Sequence, residues 1–88
     1  MKIKNGFTKR NIAGSEIVVP VGKTAKEFNG MITLNETGAF LWDCYTEEET
    51  VDGAVRALLG EYDVDEATAR RDVEGFVKML KDNGLIEE

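Results

Sequence analysis

The chain has 88 residues, with 17 acidic side chains against 11 basic ones, a net charge of −6, no histidine and one cysteine. This length allows a single domain over residues 1–88, with a thin core, since so small a chain buries only about two-thirds of its unfolded surface. The acidic balance disfavours a nucleic-acid partner, whose affinity comes largely from phosphates neutralised by Lys and Arg. The missing histidine removes the usual general base and the commonest metal ligand.

No apolar run approaches the roughly 20 residues a membrane span needs, and Met1–Asn5 lacks the apolar stretch of a signal peptide. The lone Cys44 excludes an internal disulfide, which suits a reducing cytoplasm. Charge divides along the chain. Residues 1–34 hold six Lys/Arg and two Glu (+4), and residues 35–88 hold five Lys/Arg and fifteen Asp/Glu (−10), which sum to −6.

Phe7 to Ile12 reads as a first strand and Glu16 to Val19 as a second, joined by a tight turn at Ala13-Gly14-Ser15. Pro20 lacks an amide donor and belongs at a strand end or edge. Lys9 and Arg10 read as a solvated strand face, with an acidic partner as the alternative. Val21 to Glu27 is expected to be a connecting loop. Its Gly22-Lys23-Thr24 echoes a phosphate-binding loop, but Ile17 stands where the first glycine belongs and no helix is expected to follow. Asn29-Gly30 signals a turn into a third strand, Met31–Leu34, with Ile32 and Leu34 on one face and Met31 and Thr33 on the other.

Asn35 is placed to cap the helix that follows, about Glu36 to Tyr45, with Phe40, Leu41 and Cys44 as its apolar stripe. Gly38 costs about 1 kcal/mol of helix propensity against Ala and implies close approach of another backbone. Trp42 lies off this stripe and reads as a core-edge residue, with a contact anchor as the alternative. Thr50 is preferred over a Thr46–Glu49 capping box as the start of a second helix. There Val51, Ala54, Val55, Leu58, Leu59 and Tyr62 keep amphipathic spacing. Asp65 caps a third helix whose core stripe is Ala69, Val73, Phe76 and Leu80, bordered by Val77. Gly84 ends it, with Leu85 folding back on Leu80. Three antiparallel strands followed by three helices make a small α+β domain like a winged helix-turn-helix.

Cys44 on an apolar helix face reads as a buried small hydrophobe rather than a nucleophile. The carboxylates form a solvated surface, and no glycine-rich loop or ligand cluster emerges, so no cofactor, metal site or catalysis is expected. An uncovered sheet edge offers a different use: a peptide can add to it as an extra strand.

Several stretches, taken in order, resemble the PqqD-like proteins, small peptide-binding domains also called RiPP recognition elements. These are Gly14–Pro20, Asn29–Trp42, Glu61–Asp65, Arg71–Val73 and Gly84–Glu87, which together span nearly the whole chain. The resemblance implies a non-catalytic domain that binds the leader segment of a ribosomally made precursor peptide. The leader would pair antiparallel with the third strand, beside the third helix. It would then be presented to a modifying enzyme, often a radical S-adenosylmethionine maturase.

Carried over by position, the strand wall is Met31, Ile32, Thr33 and Leu34. At about 100° per residue, Arg70, Glu74, Val77 and Lys81 share one flank of the third helix, and Asp72 and Met79 the other. The first flank is taken as the helix wall, because it offers an apolar spot and two cations for acidic leader residues. The competing readings are winged-helix DNA binding, opposed by a net charge of −1 over residues 65–82, and a structural interaction protein. A monomer or weak homodimer is expected.

Overall fold

The computed structural model describes residues 1–27 and 30–87. Strand β1 (Lys2–Ile3) leads into a hairpin of β2 (Phe7–Ile12) and β3 (Ser15–Pro20). A single helical turn, α1 (Thr24–Glu27), precedes β4 (Ile32–Leu34). Helices α2 (Glu36–Tyr45), α3 (Val51–Glu61) and α4 (Glu66–Asp82) follow, and β5 (Ile86–Glu87) closes the described chain. The β2-β3-β4 sheet is antiparallel throughout, and β1 pairs with β5 in a separate two-stranded ribbon. The expected α+β arrangement, three strands then three helices, is therefore present.

Three details of the strands and their connections differ from the sequence reading. A helix does follow Gly22-Lys23-Thr24, because Ala25 and Lys26 donate to the carbonyls of Gly22 and Lys23 and close one turn; a single turn is too short to show a 3.6-residue period. The β1/β5 ribbon has no signature in the sequence, since two residues per strand carry no alternation. The third strand starts at Ile32 rather than Met31. The turn expected at Asn29-Gly30 falls partly outside the described residues.

All three long helices are capped as their sequences require. Oδ1 of Asn35 accepts from the Gly38 amide at 2.7 Å, Oγ1 of Thr50 from Gly53 at 2.9 Å, and Oδ1 of Asp65 from Thr68 at 2.9 Å. The hydrogen bonds from Thr68 hold the Asp65 carboxyl below the usual carboxylate range. At the far end of α4 the Leu85 amide donates to Leu80 and the Gly84 amide to Lys81. That is a complete Schellman end, with Gly84 at φ +70° and both leucines fully buried.

The core lies between the inner sheet face (Val18, Leu34) and the buried faces of the helices, among them Val55, Leu58, Val73 and Leu80. In α2 the buried stripe is Gly38, Ala39, Leu41, Trp42 and Tyr45, while Phe40 and Cys44 are only half-buried. The helix is thus rotated relative to the expected stripe. Trp42 turns inward and meets Phe7 in a T-shaped pair, with ring centroids 6.3 Å apart, and is too buried to serve as a contact anchor. Lys9 is not merely solvated: its ammonium meets Oδ2 of Asp43 at 2.8 Å and so ties the hairpin to α2.

Candidate peptide-binding site

Strand β4 is at the edge of its sheet, and the register fixes which of its backbone groups are open. The β2–β3 hairpin turns through Ala13-Gly14, so Ile12↔Ser15 is a mutually hydrogen-bonded pair. Such pairs then alternate along the hairpin through Arg10↔Ile17 and Thr8↔Val19. The next in the series, Val21 donating to Gly6 at 2.8 Å, confirms the phase. Glu16 and Val18 therefore direct their backbone groups to β4, where they meet Leu34 and Ile32. Thr33 is left with its N–H and C=O pointing away from the sheet.

Beside this edge lies a groove of about 280 Å³. Its walls are Thr33 and Leu34 from β4, Thr37, Gly38 and Leu41 from α2, and Asp72, Phe76 and Met79 from α4, with Asn35 at the joint. The local sequence explains this shape. One capping residue, Asn35, takes the chain from β4 into α2 and leaves no loop to fill the gap. Gly38 presents no side chain where one would crowd its neighbours: a Cβ there would lie 3.0 Å from Oδ1 of Asn35 and 3.5 Å from Cδ2 of Leu34. Its near neighbours are thus side chains, not the passing backbone expected from the sequence. On α4, Asp72, Phe76 and Met79 stand at i, i+4 and i+7, one row along the helix. An extended chain laid here finds a backbone donor and acceptor on one side and apolar Leu34, Leu41, Phe76 and Met79 beneath.

The residues singled out from the sequence divide between two places. Leu34 is buried and Thr33 exposed, both on the groove; Ile32 is half-buried and faces inward; Met31 stands 68 % exposed just ahead of the strand. The four helix residues are elsewhere. Arg70 pairs with Asp52 of α3 at 3.0 Å, and Glu74, Val77 and Lys81 line a shallow recess with Val51 at the start of α3. The β4 groove is walled by the opposite flank of α4, because the core stripe turns Arg70, Glu74, Val77 and Lys81 toward α3. Asp72 carried a sequence signal of its own. Each of the other acids within α4 has a Lys or Arg three or four residues away, whereas Asp72 has Thr68, Ala69, Gly75 and Phe76.

Cys44, the one titratable side chain weighed as a nucleophile, is not activated. Burial, then the nearby Glu49 and Asp43 carboxylates, push the Cys44 thiol up and away from thiolate. No cluster of potential metal ligands occurs among the described residues, and none of their helices is long and apolar enough to cross a membrane.

Two solved structures share this fold. One is described as TbiB1 in complex with the TbiA(beta) leader peptide: TM-score 0.75, 24 % identity, covering 99 % of this chain and 95 % of that one. The other is described as a lasso peptide synthetase B1 complexed with the leader peptide: TM-score 0.73, 18 % identity, covering 99 % and 96 %. No curated protein sequence matches the chain. Residues 16–86 match the family of coenzyme PQQ synthesis protein D, and with four-fifths of its length inside that match the chain belongs to the PqqD family.

Proposed function

We propose that this domain binds the leader segment of a ribosomally synthesised precursor peptide and performs no chemistry on it. The leader adds as a strand to β4 and lies in the groove against α4. The observation that carries this reading is the open Thr33 N–H and C=O beside an apolar trough. Backbone pairing supplies affinity there and the trough supplies selectivity. Both fold relatives are described as leader-peptide complexes, which supports the same occupant.

The second partner is the enzyme that modifies the precursor, a radical S-adenosylmethionine maturase or another peptide-modifying enzyme. Holding the leader while the remainder of the precursor reaches that enzyme makes the encounter nearly intramolecular and raises its effective concentration. Of Met31, Ile32, Thr33 and Leu34, the strand wall keeps Thr33 and Leu34, with Ile32 turned to the core and Met31 just ahead of the strand. Asp72, Phe76 and Met79 replace Arg70, Glu74, Val77 and Lys81 as the helix wall.

The direct test titrates candidate leader peptides, drawn from short open reading frames in the gene's neighbourhood, into the isotope-labelled domain. Slowed hydrogen exchange at the Thr33 amide, with shifts at Asp72, Phe76 and Met79, is the expected result. A precursor that leaves these amides unchanged, or binds only through the Arg70–Lys81 flank, removes the groove from consideration.

A further inference from the structure

The charge of the β4 groove bears on what kind of peptide it accepts. Among the described residues, Asp72 is the only charged side chain lining it. It is exposed, makes no ion pair or hydrogen bond within the described residues, and has no cation at helical spacing. Of the neighbouring cations of α4, Arg70 is turned to Asp52 and Lys78 to Asp82 at 2.7 Å, while Arg71 is outside the groove lining and near enough to Asp65 to help hold that carboxyl down. A second recess continues past the shared Leu34 and Asn35 toward the hairpin tip, and its charged lining is Glu16 and Glu36. Lys9 reaches α2 nearby but is committed to Asp43. Among the described residues the linings of the two recesses hold three carboxylates and no cation, the reverse of the sign expected from the sequence; of the three, Glu16 accepts a hydrogen bond from Asn11 at 3.4 Å.

We infer that the groove selects a cationic leader: a Lys or Arg side chain meets Asp72 while a neighbouring apolar side chain seats over Leu34, Leu41, Phe76 and Met79. This rests on the strand-addition reading and adds the charge of its ligand. Alternate residues of an added strand point to opposite faces. The pairing therefore appears as a basic residue at a fixed distance from the apolar anchor, not as a general preference for positive charge. An exposed charge pair contributes modestly, so exchanging Asp72 for a neutral residue weakens binding roughly fivefold rather than abolishing it.

The test is selection from a displayed library of random peptides on the whole domain, in parallel with its Asp72→Lys and Asp72→Asn variants. Each winner is then mapped by exchange at the Thr33 amide. The expected outcome is Lys or Arg enriched at one spacing from an apolar residue on the parent domain, lost on Asp72→Asn, and replaced by Asp or Glu on Asp72→Lys. Winners that protect Thr33 yet show no basic preference, or do not respond to either variant, overturn the cationic leader and leave strand addition standing. Winners that leave Thr33 unprotected, or no winners at all, overturn strand addition and the inference together.

Discussion

Thr33 of β4 and Ile17 of β3 are directly opposite in the sheet register, yet their backbone groups point away from each other. Ile17 is bonded to Arg10 on its far side, and Thr33 faces the groove. Within a three-residue strand this concentrates the open ladder on one residue. A proline at 33 removes only that outward donor, and it restricts Ile32 to the extended backbone it already has. Thr33→Pro is expected to keep its near-ultraviolet circular dichroism and to bind the precursor at least about tenfold more weakly. Ile32→Pro instead breaks a bond to Val18 and should lower stability by about 1–3 kcal/mol. Equal binding by Thr33→Pro and the parent domain, measured by titration, contradicts the assigned edge.

The strand-to-helix joint was legible in the sequence because Asn35 both ends a β-rich run and caps a helix, and the structure bears that out. The stripes of α3 and α4 were equally legible, since both helices are long enough for periodicity to fix a face. The α2 face was not: its ten residues, ETGAFLWDCY, carry apolar groups nearly all round, and packing of Trp42 on Phe7 decides the rotation. The helix wall of the groove was missed for a different reason. Both flanks of α4 border the same core stripe, and only the tertiary placement of α3 shows that Arg70 and Val77 belong to its side.

Ala13 holds φ +54° beside Gly14 at φ +84° in the hairpin turn. Both central residues of this turn need the left-handed region, where alanine pays roughly 1–2 kcal/mol. Asn tolerates it. Ala13→Asn is therefore expected to stabilise the domain by about 1 kcal/mol, a rise of roughly 4–8 °C in Tm. Ala13 itself lines neither recess beside β4, so precursor affinity should not move. A calorimetric scan showing no rise refutes the strain.

Two helical glycines should respond oppositely to alanine. Around Gly60 in α3 a Cβ meets nothing within 4 Å, so Gly60→Ala gains about 1 kcal/mol of helix propensity at no steric cost. At Gly38 the added Cβ presses on Oδ1 of Asn35 at 3.0 Å. That oxygen is held by the Gly38 amide at 2.7 Å and cannot retreat without loosening the cap. Gly38→Ala should forfeit its propensity gain and narrow the groove, lowering both stability and precursor affinity relative to Gly60→Ala. Denaturant titrations on the pair decide it, and equal stabilisation by both would remove the steric role given to Gly38.

The Tyr45 phenol is enclosed in the core. Its side chain is fully buried, its ring is stacked on Phe76 with centroids 6.2 Å apart, and its hydroxyl has no hydrogen-bond partner among the described residues. Burial, reinforced by the Glu49 carboxylate, pushes its pKa up to about 12 from an ordinary value of 10. In the unfolded chain the phenol ionises first as pH rises, while the folded one keeps its proton. The stability this group contributes is whole below pH 10 and is lost between pH 10 and 12, by roughly 2 kcal/mol. Tyr45→Phe removes both the titration and the unsatisfied hydroxyl. It is expected to raise stability at neutral pH by about 1 kcal/mol and to flatten the alkaline limb relative to the parent, with the lysines common to both cancelling in the comparison. The emission of Trp42, the sole tryptophan and buried beside Phe7, follows unfolding of either protein across that range. A Tyr45→Phe variant that is less stable at pH 7, or loses stability as steeply between pH 10 and 12, shows that the hydroxyl has a partner in solution.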